Sequence, residues 1–203
     1  MIHDLDRTIE QLLRAELPAS VLSQVGISFV TPDAQFPPSS VTLPAIDLFL
    51  YDVRENRDLR SNEWQIDRRE DGTAAKRRAP VRVDCSYLIS VWPSESSNTP
   101  AQDEHRLLGE VMSVLLRHPV IPASVLQGTM QGQEAPLPGS SLQPGRLQSV
   151  AEFWQALGGK PKAALNYTVT IGVQPHAEVD TGPLVTDSEV RMELGANGSN
   201  GQG

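Results

Sequence analysis

The sequence is poor in the residues that build disulfide-bonded, membrane-spanning or strongly aromatic proteins. Its 203 residues include a single cysteine, Cys85, which excludes an internal disulfide and a zinc site built from cysteines and indicates a reducing compartment. Aromatic residues make up only 5% of the chain, and no apolar run approaches the roughly 20 residues that cross a bilayer. Residues 1–6 hold two acids and no apolar segment, so we expect no secretory signal.

Basic residues are also scarce relative to acids. The chain has 17 Lys and Arg against 25 Asp and Glu, a net charge of −8, which disfavours general affinity for nucleic acid. Half of that excess lies in residues 178–203, which hold five acids and one base and end in a Gly-rich run. Such a segment buries too little apolar surface to offset its ordering entropy. We therefore predict a folded domain over 1–177 and a flexible acidic tail over 178–203.

Apolar residues at helical spacing predict three helices. The first extends from Leu5 to Leu17, with Asp4 or Asp6 as its N-cap. The second extends from Pro100 to Arg117, and the third begins after Ser149.

Three long segments have the patterns of strands, and residues 27–30 are a short apolar strand candidate. Residues 81–91 and 165–173 alternate apolar and polar side chains, which is typical of an antiparallel sheet with one polar face. Residues 41–53 are apolar on both faces and predict a strand covered on both sides. The expected fold is α+β: a mixed, mainly antiparallel sheet with two or three helices packed on it, a charged β-hairpin arm and a flexible C-terminal tail.

The arm is predicted from residues 54–82, which hold nine bases and six acids inside an acidic protein. Residues 64–66 have strand character, and Asp71-Gly72 favours a hairpin turn. The first interpretation of such a charged segment is a solvated arm without a partner. The functional interpretation is an arm that binds other proteins, because arginine binds carboxylates with two parallel hydrogen bonds. Nucleic-acid binding ranks third because Trp64 is the only aromatic residue of this segment. The candidate interface residues are Arg57, Arg60, Trp64, Arg68, Arg69, Lys76, Arg77 and Arg78.

No pattern of catalytic or metal-binding residues is found. The histidines show no spacing of a helical metal pair, and the chain lacks both a Gly-x-Ser-x-Gly nucleophile turn and a phosphate-binding loop. Glu104 and His105 are adjacent, so on a helix they point about 100° apart and do not face each other. Cys85 lies on the apolar side of its strand. We therefore expect a protein that is not an enzyme and that carries no cofactor or metal.

Six segments of the sequence, taken together in their order, indicate a protein family more specifically than any single segment does. They are the opening helix Leu5–Leu17, LYDVREN at 50–56, YLISVW at 87–92, EHRLLG at 104–109, FWQALG at 153–158 and ALNYTV at 164–169. In this order and spacing, over roughly residues 1–175, the chain resembles the cap proteins of phage-tail-like contractile injection systems, a small family related to phage tail terminators.

The resemblance implies a structural cap. Such proteins form a ring, typically hexameric, on the distal end of the inner tube and sheath, where the ring ends polymerisation and fixes particle length. The implied partners are further copies of the chain and the sheath and inner-tube proteins, with no membrane. The implied location is a cytoplasmic assembly, within a particle that stays in the cell or is released. Two alternatives stay open: a neck or baseplate adaptor of the same assembly and, less favoured, a nucleic-acid-binding protein that uses the basic arm.

Overall fold

The computed structural model describes most of the chain as two compact units. The described residues are 1–69, 73–133, 136–143, 149–159 and 161–183. Of these described residues, the larger unit comprises those in 1–61 and 80–175, and the smaller unit comprises those in 62–79 and 176–183.

Helices and strands alternate along the chain. The α-helices are α1 (Ile2–Glu16), α2 (Ala19–Leu22), α3 (Pro100–Arg117) and α4 (Val150–Ala156). The strands are β1 (Gly26–Ser28), β2 (Ala45–Glu55), β3 (Trp64–Arg68), β4 (Thr73–Arg78), β5 (Val81–Trp92), β6 (Gly139–Ser141), β7 (Ala164–Val173) and β8 (Val179–Pro183). Three short 3-10 turns lie at Arg57–Leu59, Ala123–Val125 and Gly128–Met130.

The larger unit is built on a five-stranded sheet in the order β1-β2-β5-β7-β6. The β1–β2 pair is parallel and the other three pairs are antiparallel. The expected α+β class with a mixed, mainly antiparallel sheet is therefore confirmed. Three helices of two turns or more accompany the sheet, together with the single-turn α2.

One face of this sheet forms the hydrophobic core with α1 and α3. The alternation predicted for 81–91 and 165–173 is confirmed, because its apolar members from Val83 to Val91 and from Leu165 to Val173 pack in one core cluster. Helix α3 has the predicted bounds and lies over β5 and β7. Its core residues meet those of α1, so that both amphipathic helices bury their apolar sides. The core members with no exposed surface are Leu5, Ile9, Leu12, Leu13, Ile46, Leu48, Cys85, Tyr87, Ile89, Val91, Val111, Met130, Tyr167, Val169 and Ile171.

Helix α1 begins earlier than the sequence predicts, and the predicted N-cap is wrong. Met1 occupies the N-cap position and makes no side-chain capping bond. Asp4 lies in the first turn, where its carboxylate instead accepts hydrogen bonds from Thr129. Asp6 accepts a hydrogen bond of 2.7 Å from the Tyr87 hydroxyl. Both carboxylates therefore hold tertiary contacts, which local sequence rules do not reveal.

Helix α4 lies against the opposite side of β2. Its start is as predicted, since the Ser149 hydroxyl accepts a hydrogen bond from the backbone N–H of Glu152. The Phe153 ring packs against Phe49 and Tyr51, with ring centroids 6.0 and 6.2 Å apart. Strand β2 is therefore apolar on both faces because it contacts side chains on both, as its sequence indicates.

The smaller unit contains a three-stranded antiparallel sheet in the order β3-β4-β8. Strands β3 and β4 form the predicted hairpin, although the Asp71-Gly72 turn lies outside the described residues. Strand β8 falls inside the segment 178–203 that the sequence assigns to the tail. Residues 184–203 lie outside the described residues, so a flexible tail there stays a prediction.

Candidate assembly interface

The register of the β3–β4 hairpin divides the arm residues between two faces. Trp64 lies opposite Arg78, and Ile66 lies opposite Lys76. Residues directly opposite each other in an antiparallel pair share a face, and the faces alternate along each strand. One face of the hairpin is therefore both aromatic and basic. We call it the aromatic-basic face and define it as Trp64, Ile66, Arg68, Lys76 and Arg78.

Cation–π contacts position two basic side chains of the aromatic-basic face over its tryptophan ring. The Lys76 Nζ atom lies 4.5 Å and the Arg78 Cζ atom 5.2 Å from the centroid of the Trp64 ring. Cation–π contacts hold basic side chains over an aromatic ring without neutralising their charge. Trp64 is 45% exposed and Ile66 63% exposed. The face thus combines positive charge with apolar surface, a composition that suits a protein partner carrying acids.

The opposite face of the hairpin carries paired charges. Arg77 Nε donates to Asp67 Oδ2 at 2.8 Å. At the end of β3, Arg69 lies 3.7 Å from the carboxylate of Glu178. Arg69 and Arg77, two of the predicted interface residues, therefore form ion pairs within the smaller unit.

Arg57 and Arg60 belong to the larger unit. Arg57 begins a 3-10 turn whose N-cap is Asn56, and the Asn56 side chain accepts a hydrogen bond from the backbone N–H of Leu59. Arg60 forms two hydrogen bonds of 2.6 and 2.7 Å with the carboxylate of Glu55, and these bonds lower the pKa of Glu55. The structure therefore divides the eight predicted interface residues between two units.

Ile66 belongs to the aromatic-basic face but is absent from the interface residues predicted from sequence. It is the most exposed of the large apolar side chains that the structure describes. The signal that finds it is the two-residue period of a strand, which places Ile66 on the face of Trp64 and Arg68.

The polar face of the main sheet carries a hydrogen-bond network. The Tyr51 hydroxyl donates to Asn166 Oδ1 at 2.5 Å, and the Thr170 hydroxyl donates to Asp84 Oδ1 at 2.7 Å. The Asn56 amide donates to both oxygens of Asp84. These bonds pair polar side chains of β2, β5 and β7 on the sheet's second face, which agrees with the polar face expected from sequence.

Glu104, the neighbour of His105 on helix α3, pairs with a lysine. Glu104 forms an ion pair of 3.1 Å with Lys162, whose Nζ lies 3.9 Å from the centroid of the Trp92 ring. Burial lowers the pKa of Lys162. Over the ranges that the structure describes, no group of three or more His, Cys, Asp or Glu side chains is arranged to hold a metal ion. Within the same ranges no helix has the length and hydropathy needed to span a membrane.

Comparison with known proteins identifies relatives over nearly the whole chain. The family model described as the Pvc16 N-terminal domain matches residues 4–187. A solved structure of the sheath/tube terminator of an extracellular contractile injection system, PVC, in its extended state, matches 98% of this chain at 26% identity with a TM-score of 0.69. The tube-terminating cap of the anti-feeding prophage matches 94% of the chain at 24% identity with a TM-score of 0.60, a likeness of fold.

The chain spans only part of each of these structures. It covers 65% of the PVC terminator chain and 60% of the anti-feeding prophage cap. A search of curated proteins gives no significant match.

Proposed function

We infer the function from one premise: the chain belongs to the Pvc16 N-terminal domain family, whose model matches residues 4–187. We propose that it is a structural cap, a tail terminator on the distal end of the tube and sheath of a contractile injection system. The observation that carries the proposal is the match of 98% of the chain to a sheath/tube terminator. The proposed role requires binding and no catalysis.

A cap of this kind works by complementarity. A subunit that binds the end of a polymer but offers no second surface for the next layer stops growth. To cover a tube end, several copies close into a ring through two different surfaces, a heterologous arrangement that closes by rotation. We propose six copies, as the resemblance to the cap proteins implies. Six chains of 22.1 kDa would form a ring of about 133 kDa.

The aromatic-basic face is the surface that we assign to partner binding. A fully exposed ion pair contributes little free energy, so basic side chains stabilise a complex mainly where apolar surface is buried beside them. Trp64 and Ile66 supply such surface between Arg68, Lys76 and Arg78. Arg57 and Arg60 stay a weaker part of this proposal, because they belong to the other unit and Arg60 is paired with Glu55.

The experiment that tests the proposal compares particle lengths. Tube, sheath and baseplate proteins of a contractile injection system are produced with and without this chain, and the lengths are measured by negative-stain electron microscopy. Particles of one length with the chain, and a broad length distribution without it, support the cap. A uniform length without the chain contradicts it.

The same particles distinguish a cap from a baseplate adaptor. Without a cap, tubes form but do not stop at one length. Without a baseplate component, few tubes start. A drop in particle number at unchanged length therefore favours the adaptor.

A further inference from the structure

The charges of the three-stranded sheet in the smaller unit are divided between its two faces. The aromatic-basic face, as defined above, includes three bases. The two acids of strands β3, β4 and β8 lie on the other face, because Asp67 and Asp180 are both opposite Ala75 of β4. Within the described strands, the aromatic-basic face therefore holds three positive charges and no negative charge.

Apolar side chains are exposed beside these bases. Trp64 and Ile66 are among the exposed large apolar residues, and so is Val179, which lies opposite Lys76 on the same side of the sheet. Exposed apolar surface bordered by charge marks a site for a partner. The chemistry that matches this face is a segment with both acidic and apolar side chains.

Such a segment follows directly in the same chain. Strand β8 ends at Pro183, and residues 184–194, which lie outside the described residues, have the sequence LVTDSEVRMEL. They include five apolar residues and three acids against one base, a net charge of −2, whereas residues 195–203 carry no charge. We call residues 184–194 the tail segment. Its charge and its apolar residues complement those of the aromatic-basic face.

We propose that the tail segment binds the aromatic-basic face of its own chain before the subunit joins its partners. The tail segment then competes with the partner for one surface, which makes the contact autoinhibitory. The binding itself does not depend on the cap. That it delays assembly rests on the proposed function, which assigns this face to a partner.

The tail segment is long enough to reach this face within one chain. Pro183 lies opposite Thr73, and Trp64 lies opposite Arg78, five residues farther along β4. At about 3.3 Å per residue that distance is about 17 Å, whereas eleven extended residues span about 36 Å. A short tether raises the local concentration of the tail segment far above that of separate subunits. The chain's own segment is therefore favoured as the occupant over the same segment of another copy.

A contact of this composition can be displaced during assembly. Ion pairs at an exposed face are screened by salt and contribute little free energy each. The tether therefore supplies much of the occupancy of the face. A partner that buries Trp64 and Ile66 more completely gains more free energy from apolar burial and replaces the tail segment.

Paired cysteines test the contact, with two neighbouring residues of β3 as test and control. Ile66 belongs to the aromatic-basic face and Gln65 to the opposite face, and both are exposed. Ile66→Cys or Gln65→Cys is combined, in the full-length chain, with one cysteine in the tail segment: Val190→Cys, Met192→Cys or Leu194→Cys. The chains are oxidised at low protein concentration, and mass spectrometry with a non-reducing gel measures the disulfide within one chain.

We expect the best pair with Ile66→Cys to form this disulfide at least tenfold faster than Gln65→Cys with the same tail position. The two cysteines differ by one position along the chain, so the face that each lies on is the main difference between them. The native Cys85 does not compete, since it is buried and burial raises the pKa of its thiol to about 11.

A second set of variants tests the charge complementarity in the best pair. The three acids of the tail segment are neutralised together by Asp187→Asn, Glu189→Gln and Glu193→Gln. The matched control changes the net charge equally, outside the tail segment, by Asn197→Lys, Ser199→Lys and Asn200→Lys. Neutralising the acids should slow disulfide formation at least threefold, and the control should slow it less.

The closed disulfide also tests the inhibition. Particles capped by the oxidised form of the best pair should be at least tenfold fewer than those capped by the reduced form of the same variant. Because both forms carry the same substitutions, only the position of the tail segment differs between them. Equal capping by the two forms would overturn the inhibition.

The outcomes separate this inference from the proposed cap. Equal rates for Ile66→Cys and Gln65→Cys at all three tail positions overturn the tail contact and leave the cap intact. Disulfides that join two chains instead of closing within one overturn the assignment to the chain's own segment. Equal slowing by the two charge variants overturns the charge complementarity. A chain that closes the disulfide but does not control particle length overturns the cap and leaves the tail contact intact.

Discussion

The Asp4 carboxylate accepts hydrogen bonds from both the hydroxyl and the backbone N–H of Thr129, at 2.7 and 3.2 Å. It therefore joins the first turn of α1 to the 3-10 turn Gly128–Met130, more than 120 residues away along the chain. Asp4 is almost fully buried. This contact fixes the start of the chain against the core and leads to two predictions.

The first prediction concerns acid. Hydrogen bonds from Thr129 lower the pKa of Asp4 to about 2, below its ordinary value of 3.8. A carboxyl with a lowered folded-state pKa contributes stability that is fully present above its unfolded-state pKa and is lost as the pH falls through the folded-state value. Asp4→Asn should therefore be less stable than the wild type at pH 6, and the difference should shrink between pH 4 and pH 2. Urea unfolding at several pH values measures it, and a difference that is independent of pH would contradict this account.

The second prediction concerns the glycine before Thr129. Gly128 has a φ of +52°, and a Cβ atom there would lie 2.4 Å from an oxygen of the Asp4 carboxylate. Gly128→Ala should reduce the free energy of unfolding by more than about 1 kcal/mol, because it combines backbone strain with a clash. Gly132→Ala is the matched control, since the nearest atom to its added Cβ lies 3.9 Å away and its φ is ordinary. Equal unfolding free energies for the two variants would contradict the prediction.

The third prediction concerns a buried carboxyl in the main sheet. Asp47 is fully buried between Ser28 of β1 and Ser90 of β5. Burial raises the pKa of Asp47 to about 7, although Ser28 and the backbone of Val30 oppose the shift. The folded chain then holds a proton that the unfolded chain releases, so stability falls as the pH rises from about 4 to 7. The rise in the pKa of Asp47 from 3.8 to about 7 corresponds to a decrease of about 4 kcal/mol in the free energy of unfolding over this pH range.

Asp47→Asn removes this dependence, because the amide is neutral at every pH. We expect the variant to be more stable than the wild type at pH 8 and to lose that advantage near pH 4.5. Asp58→Asn is the control, since Asp58 is exposed. Denaturant unfolding at both pH values is the measurement. A variant that is less stable at pH 8 would show that the ionised carboxylate stabilises the fold.

The fourth prediction uses two neighbouring bases on opposite faces of the arm. Lys76→Glu and Arg77→Glu change the charge equally, but Lys76 belongs to the aromatic-basic face and Arg77 is paired with Asp67 on the other. Lys76→Glu should reduce the fraction of capped particles at least tenfold, and Arg77→Glu should reduce it less. Circular dichroism of the isolated chains checks that both are folded. Equal loss from both variants would show that the net charge of the arm matters and its faces do not.

Much of the fold follows from local pattern. Helix α3 has the predicted bounds because a proline begins it and His118-Pro119 ends it, and both signals act within a turn of the helix. The Ser149 cap and the apolar stripes of β5 and β7 are also determined by residues that are close together in the sequence. These features could be predicted because neighbouring residues determine them.

The features that local pattern does not predict lie where residues distant in sequence make contact. Asp4 resembles an N-cap, but Thr129 supplies its partners. Strand β8 lies in an acidic segment with little apolar content, and only its pairing with β4 makes it a strand. The candidate interface also depends on contacts between different segments of the chain. Its bases were visible in the sequence, whereas their division between two units and two faces depends on the register of β3 with β4.

The most direct test of the proposed cap is a cryo-electron microscopy reconstruction of the distal end of particles that contain this chain. Our account predicts a single ring of the chain at that end, closing both tube and sheath, and none along the particle or at the baseplate. Density for the chain at the baseplate, or at repeated positions along the sheath, would contradict the assignment as a terminator.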